Sequence, residues 1–231
     1  FIFGRLMTKL GIIIAANIMF VLLSIPFFTI GAGFSALYYV MFRTLRNDGV
    51  VNPFKEFWTG LRMNFKQATI CWLIGLALLA FLGTEWYWCR QFGGVFAYFQ
   101  IGIIMIAAFV LIILLYIFPT MAAFEAPIKQ LIGNSIYFAL KKPLNIVVIL
   151  FIHVVPMALT YMDLQRLPFY AFLWCFFGFA AVSLVSVSLL LKEYMPYLDK
   201  GEDAGSEEDA EGEAHVKSEK EILDEMQRLG L

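Results

Sequence analysis

Uncharged runs dominate the pattern of this chain. Leu10–Phe42, Gln67–Thr84, Gln91–Phe124, Pro143–Met162 and Phe169–Leu191 carry no Asp, Glu, Lys or Arg, and short polar segments separate them. About 20 predominantly apolar residues suffice to cross a bilayer as a helix. The first run has 33 residues, which as one helix would extend ~50 Å, well beyond a ~30 Å hydrocarbon core. The chain therefore has to bend, and Ser24-Ile-Pro-Phe-Phe-Thr-Ile-Gly-Ala-Gly33 supplies the means. Pro26 interrupts helical hydrogen bonding, and Gly31 and Gly33 permit a tight reversal. The pattern predicts an all-α polytopic transmembrane bundle with five full spans. A short helix, Phe34–Arg46, follows the break.

The polar connectors have patterns of their own. Residues 43–66 hold Arg43, Arg46, Lys55, Arg62 and Lys66. Asn52-Pro53 reads as a helix start, a capping residue followed by Pro at the first position. Phe54, Phe57, Trp58, Leu61 and Phe65 then recur at helical spacing, with the cations on other faces. This predicts either an amphipathic helix lying in the membrane interface or a surface helix packed on the end of the bundle. A second connector, 119–142, predicts an amphipathic helix from Pro127 to Leu140. Lys and Arg are numerous at 43–66, at 119–142 and after 191, and sparse at 85–95 and 163–168. The positive-inside rule places the three basic segments and both termini in the cytoplasm of a cell-membrane protein. That arrangement makes Pro26, Gly31 and Gly33 a topological pivot, and it favours a hairpin over one long bent crossing.

Composition adds a division of charge. Residues 1–198 carry 13 Lys and Arg against 6 Asp and Glu, whereas 199–231 carry 4 against 12. The expected organisation is a transmembrane domain over 1–198 and an acidic cytoplasmic tail over 199–231. The tail reads as disordered, with a short C-terminal helix after Ser218. The cations are scattered along membrane edges rather than gathered on one face, so nucleic acid is not an expected partner; the lipid bilayer is. Cys71, Cys89 and Cys175 have neither metal nor redox spacing.

Chemistry is thin. His153, in the middle of a span, could serve a proton relay or a ligand contact, since ionisable groups at that depth are costly and often functional. The plainer alternative is a neutral imidazole bonded to a backbone carbonyl or a neighbouring Ser. Glu85, Trp86, Trp88 and Arg90 combine flat apolar faces with charged hydrogen-bonding groups. They fit either a ligand or partner contact or an aromatic belt at the membrane surface. Asn17 and the Ser-rich last span suit helix packing. There is no phosphate-binding loop, metal-ligand spacing or paired intramembrane carboxylates, so neither an enzyme nor a cofactor is expected.

As a set, Asn17, Leu23-Ser-Ile-Pro-Phe-Phe-Thr-Ile-Gly31, Ala36-Leu-Tyr-Tyr39, Phe57-Trp58, Asn64-Phe-Lys66, Phe118-Pro119 and Asn134 resemble the YesL family of small bacterial membrane proteins. The likeness covers about residues 3–195. The resemblance implies a Gram-positive setting beside carbohydrate ABC importers, and hence an accessory subunit that binds the permease of an oligosaccharide import system. A stand-alone small-solute transporter and a membrane sensor are the competing expectations.

Overall fold

The computed structural model describes residues 2–46, 51–92 and 94–198. They form α1 (Ile2–Leu23), α2 (Ile30–Arg46), α3 (Pro53–Phe92), α4 (Phe96–Ala123), α5 (Ile128–Lys141) and α6 (Pro143–Met162). A last helical stretch, Leu164–Leu198, opens with a 3₁₀ turn at Leu164–Arg166 and runs on as α7 (Leu167–Leu173). It widens into one π turn at Trp174–Gly178 and continues as helix over 179–198. No strand occurs among the described residues. The chain divides into two units, Phe1–Leu191 and Lys192–Leu231, and of the second only 192–198 are described. The expectations for the acidic tail lie outside the described residues.

Among the described residues, four helices are long and apolar enough to cross a bilayer: Pro53–Phe92, Tyr98–Ala123, Pro143–Met162 and Leu164–Leu198. The protein is thus an all-α, membrane-spanning bundle. Where the sequence pattern gives five full spans, α1 contributes a shorter apolar stretch, Met7–Leu23. Its 17 residues extend only ~26 Å, because the break cuts the helix at Leu23.

At the break, Pro26 is extended (φ −76°, ψ 110°). Ser24 closes the end of α1, its Oγ donating to Phe20 O at 2.7 Å. The Thr29 hydroxyl sits between the carbonyls of Leu23 and Pro26, and Trp72 Nε1 of α3 donates to Phe27 O at 3.1 Å. Side chains thereby satisfy backbone groups that a broken helix would leave bare in an apolar setting. The chain then reverses: the Phe20 and Phe34 rings lie 4.6 Å apart, whereas 14 residues of straight helix would separate them by ~21 Å.

The short helix after the break is the axis of the bundle. Twelve of the 17 residues of α2 are buried, whereas α6, longer and more apolar, buries only Ile149. Apolarity does not decide the order: in a bilayer the more apolar helix can face lipid, and α2, rich in small residues, is the one its neighbours pack around. Its neighbours meet it through one aromatic layer with a ring from each of five elements. Phe20 of α1 contacts Phe34 of α2 and Phe179 of the last span at 4.6 and 5.0 Å. Phe34 stacks on Phe118 of α4 at 6.0 Å, and Phe118 meets Trp72 of α3 at 6.4 Å. Such pairs add ~0.5–1.5 kcal/mol each beyond the area they bury.

Glycines set the spacing between α2 and α3. A Cβ on Gly31 would lie 2.4 Å from Trp72 Cβ and 2.7 Å from Ala68 O, and one on Gly60 would lie 2.7 Å from Tyr39 Cβ. The Gly31 contacts with 68 and 72 and the Gly60 contact with 39 define an antiparallel pair in close approach.

Residues 53–66 do not form a helix apart from the span. Asn52 Oδ1 caps the start by accepting from Phe54 N (3.1 Å) and Lys55 N (3.3 Å), and α3 then runs 40 residues without interruption. No Pro or cap stands between Lys66 and Gln67 to end it. Phe57, Gly60, Leu61 and Asn64 face inward, and Asn64 Nδ2 donates to Met121 O of α4 at 2.8 Å. Phe54, Trp58 and Phe65 remain exposed. By contrast, α5 is a separate amphipathic helix that buries Leu131, Ser135, Phe138 and Ala139.

The two kinds of glycine make a stability test. Gly31→Ala should cost about 1–3 kcal/mol, because its neighbours are backbone and Cβ atoms that cannot step aside. Gly83→Ala, where a Cβ meets nothing within 4 Å, should gain about 0.5–1 kcal/mol. Unfolding titrations of both variants in mixed detergent micelles measure the difference; equal responses would contradict the packing argument.

Candidate functional site

Two features stand out, a polar core inside the bundle and an exposed hairpin at one end. The core begins with a helix defect. The π turn at Trp174–Gly178 shifts the hydrogen-bond register and leaves backbone groups without their usual helical partners. Asn17, fully buried on α1, meets them. Its Nδ2 donates to Trp174 O (2.9 Å) and Cys175 O (2.7 Å), and its Oδ1 accepts from Ala180 N (2.9 Å). An amide donates through both hydrogens of its nitrogen and accepts on its oxygen, so Asn17 is matched to a defect that presents two carbonyls and one N–H. Trp174 in turn donates through Nε1 to Thr160 Oγ1 at 2.9 Å, tying α6 to the same turn.

Further along α2, the Tyr38 hydroxyl lies 3.3 Å from His153 Nε2 of α6. His153 Nδ1 is 2.7 Å from Ile149 O. A carbonyl can only accept, so the proton of a neutral imidazole sits on Nδ1, and Nε2 accepts from the Tyr38 hydroxyl. Ser186 and Ser183 of the last span approach the same phenol oxygen. The Ser186 hydroxyl is committed to Val182 O at 2.9 Å, whereas Ser183 Oγ is buried without a hydrogen bond of good geometry. Tyr38 thus bridges α2, α6 and the last span in a setting that is otherwise apolar. No charged side chain occurs in α4, in α6 or in the last span between Leu167 and Leu191.

The hairpin is α3 and α4 beyond Gly75. Leu114 packs against Gly75, where a Cβ would lie 2.5 Å from Leu114 Cδ2. Beyond that contact no side chain is buried over 76–92 or, among the described residues, over 94–113. The turn uses Gly94 at φ +60°, a conformation that costs glycine nothing. Here stand Glu85, Trp86, Trp88 and Arg90. The Arg90 guanidinium lies over the Trp86 ring at 5.5 Å. Tyr87, Trp88, Phe92, Phe96 and Phe99 form a ladder of rings with successive centroids 5.8–6.4 Å apart. Below it, Val95, Tyr98, Phe99, Gly102, Ile103 and Ile106 line an open apolar groove of about 450 Å³ on α4.

The structure thus separates the residues singled out in the sequence. Pro26, Gly31 and Gly33 form the break and its contacts, with a Cβ on Gly33 lying 3.1 Å from the Phe20 ring. Glu85, Trp86, Trp88 and Arg90 share the hairpin, and His153 joins the polar core through Tyr38. Sequence reasoning did not single out Tyr38. Its signal was a phenol at the middle of a helix, just after the small-residue stretch Gly31–Ala36, where a buried hydroxyl needs a partner.

Removing the Asn17 amide should therefore cost more than removing the Tyr38 hydroxyl. Asn17→Leu removes three hydrogen bonds to backbone groups and should destabilise by about 1–3 kcal/mol. Tyr38→Phe removes one long bond and should cost about 0.6 kcal/mol. Unfolding titrations in bicelles compare the two; a larger loss in Tyr38→Phe would contradict this ranking.

Residues 13–86 match the model of a family described as "Protein of unknown function, DUF624". The matched segment runs from α1 through the break and α2 into α3. No curated protein and no solved structure matches the chain.

Proposed function

We propose that this protein is an accessory integral membrane subunit of a carbohydrate import system, seated on a membrane permease through its α3–α4 hairpin. The observation that carries this reading is the burial pattern: past Gly75 and before Leu114, no side chain of the hairpin is buried among the described residues. Lipid can cover such a surface, but the groove around Gly102 and the aromatic ladder give it the relief into which another transmembrane helix packs. A non-catalytic role agrees with Asn17, whose amide is taken up by backbone groups of the π turn. The carbohydrate setting rests on the likeness to the YesL family and on the DUF624 match over 13–86. In this reading the protein sits in the cell membrane with the α5 end and both termini in the cytoplasm, a placement that the distribution of Lys and Arg supports.

A second reading, a stand-alone transporter of a small solute, draws on the Tyr38–His153 contact and the unbonded Ser183 hydroxyl. Solute flux in liposomes holding this protein alone would establish it in place of the first.

Purification from its native membrane in a mild detergent tests the preferred reading. A permease should co-elute with the wild type. Gly102→Leu, whose Cβ meets nothing within 4 Å, should leave the fold intact, fill the groove and cut the recovered permease about tenfold. Wild-type protein that elutes alone, or a Gly102→Leu variant that recovers as much permease, would overturn it.

A further inference from the structure

The opposite end of α3 carries a different surface. On its first four turns, Phe57, Gly60, Leu61 and Asn64 face inward, which turns Phe54, Trp58, Phe65, Lys55, Arg62 and Lys66 outward. At 100° per residue, the three aromatics occupy one flank of the outward face and the three cations the adjoining one. Phe54, Trp58 and Phe65 are 63, 50 and 41% exposed, and the three cations are exposed as well. The Arg62 guanidinium lies 5.2 Å over the Trp58 ring. The carboxylate of this segment, Glu56, is turned toward Arg43 Nε at 3.7 Å, so it does not neutralise the stripe.

We propose that this stripe binds the headgroups of anionic phospholipids, with Arg62 and Lys66 as the phosphate contacts and Trp58 and Phe65 seated beside them. Continuity with the span selects lipid over a soluble acidic partner. The uncharged run begins at Gln67, the next residue of the same helix, so Arg62, Phe65 and Lys66 fall within ~8 Å of it, the depth of a headgroup layer. Aromatic rings beside cations at that depth are the arrangement that interfaces favour. A surface facing only water would gain nothing from three exposed aromatic rings. At the same end of the bundle, α5 repeats the pairing, with Lys141 5.9 Å over the exposed ring of Tyr137.

The test uses the full chain reconstituted in vesicles of equal phosphatidylglycerol and phosphatidylcholine, extracted in detergent, with the retained lipid quantified. Each basic residue near an anionic surface is worth roughly a factor of five. Wild type should retain phosphatidylglycerol at least about tenfold over phosphatidylcholine, and Lys55→Gln/Arg62→Gln/Lys66→Gln should retain the two equally. If the triple variant does not fold, the single Arg62→Gln variant should lose about fivefold and carries the same test. No enrichment in the wild type, or undiminished enrichment in the variants, would overturn the proposal. Full displacement of the lipid by millimolar inorganic phosphate would also overturn it, showing a site for free anions rather than for a headgroup at the membrane surface.

Discussion

Hydrocarbon offers no hydrogen bonds, and that constraint accounts for most of the interior of this protein. Helices meet it by pairing their own backbone groups, but this bundle abandons regular α-helix at the break around Pro26 and at the π turn in the last span. Both defects are repaired by side chains, and each draws one from elsewhere in the chain. Trp72 reaches from α3 to Phe27 O, and Asn17 reaches from α1 to Trp174 O and Cys175 O. Each repair joins two elements that would otherwise be held by dispersion alone. The defects are thus also the places where the bundle gains its specific pairing of helices.

The aromatic layer works on the same fold by another physical route. Within a bilayer, no hydrophobic gain separates a helix–helix contact from a helix–lipid contact, so close fit decides which forms. Gly31 and Gly60 let the α2 and α3 backbones approach, and the rings of Phe20, Phe34, Trp72, Phe118 and Phe179 fill the level where five elements converge. α2 can be short because it does not need to reach lipid on every side; its surroundings are protein.

How much of this was legible in the sequence follows from the range of the interactions. Uncharged runs, Asn52-Pro53 and Pro26 act locally, and they mark helix ends and the break within a few residues. The continuity of α3 was harder to see, because a change from mixed to apolar composition at Gln67 looks like a boundary while nothing in the backbone chemistry requires one. The central place of α2 was not legible, since burial depends on which helices surround it. The polar core was legible only in part: His153 is conspicuous as a histidine in an apolar run, but its partner Tyr38 lies 115 positions away. Likewise, no local pattern links Asn17 to a π turn more than 150 residues on.

One consequence belongs to the length of α3. Forty residues of uninterrupted helix make a rod ~60 Å long, and its only proline is at its first position. Its first half is held by α2, through Gly60 and at Ala68 and Trp72 beside Gly31, and that held half carries the cationic stripe, while the far end carries the aromatic ladder. A rod clamped over one half and free over the other is a cantilever. A load on the ladder tilts the free half against the Gly75–Leu114 contact and leaves the stripe where the glycine contacts hold it.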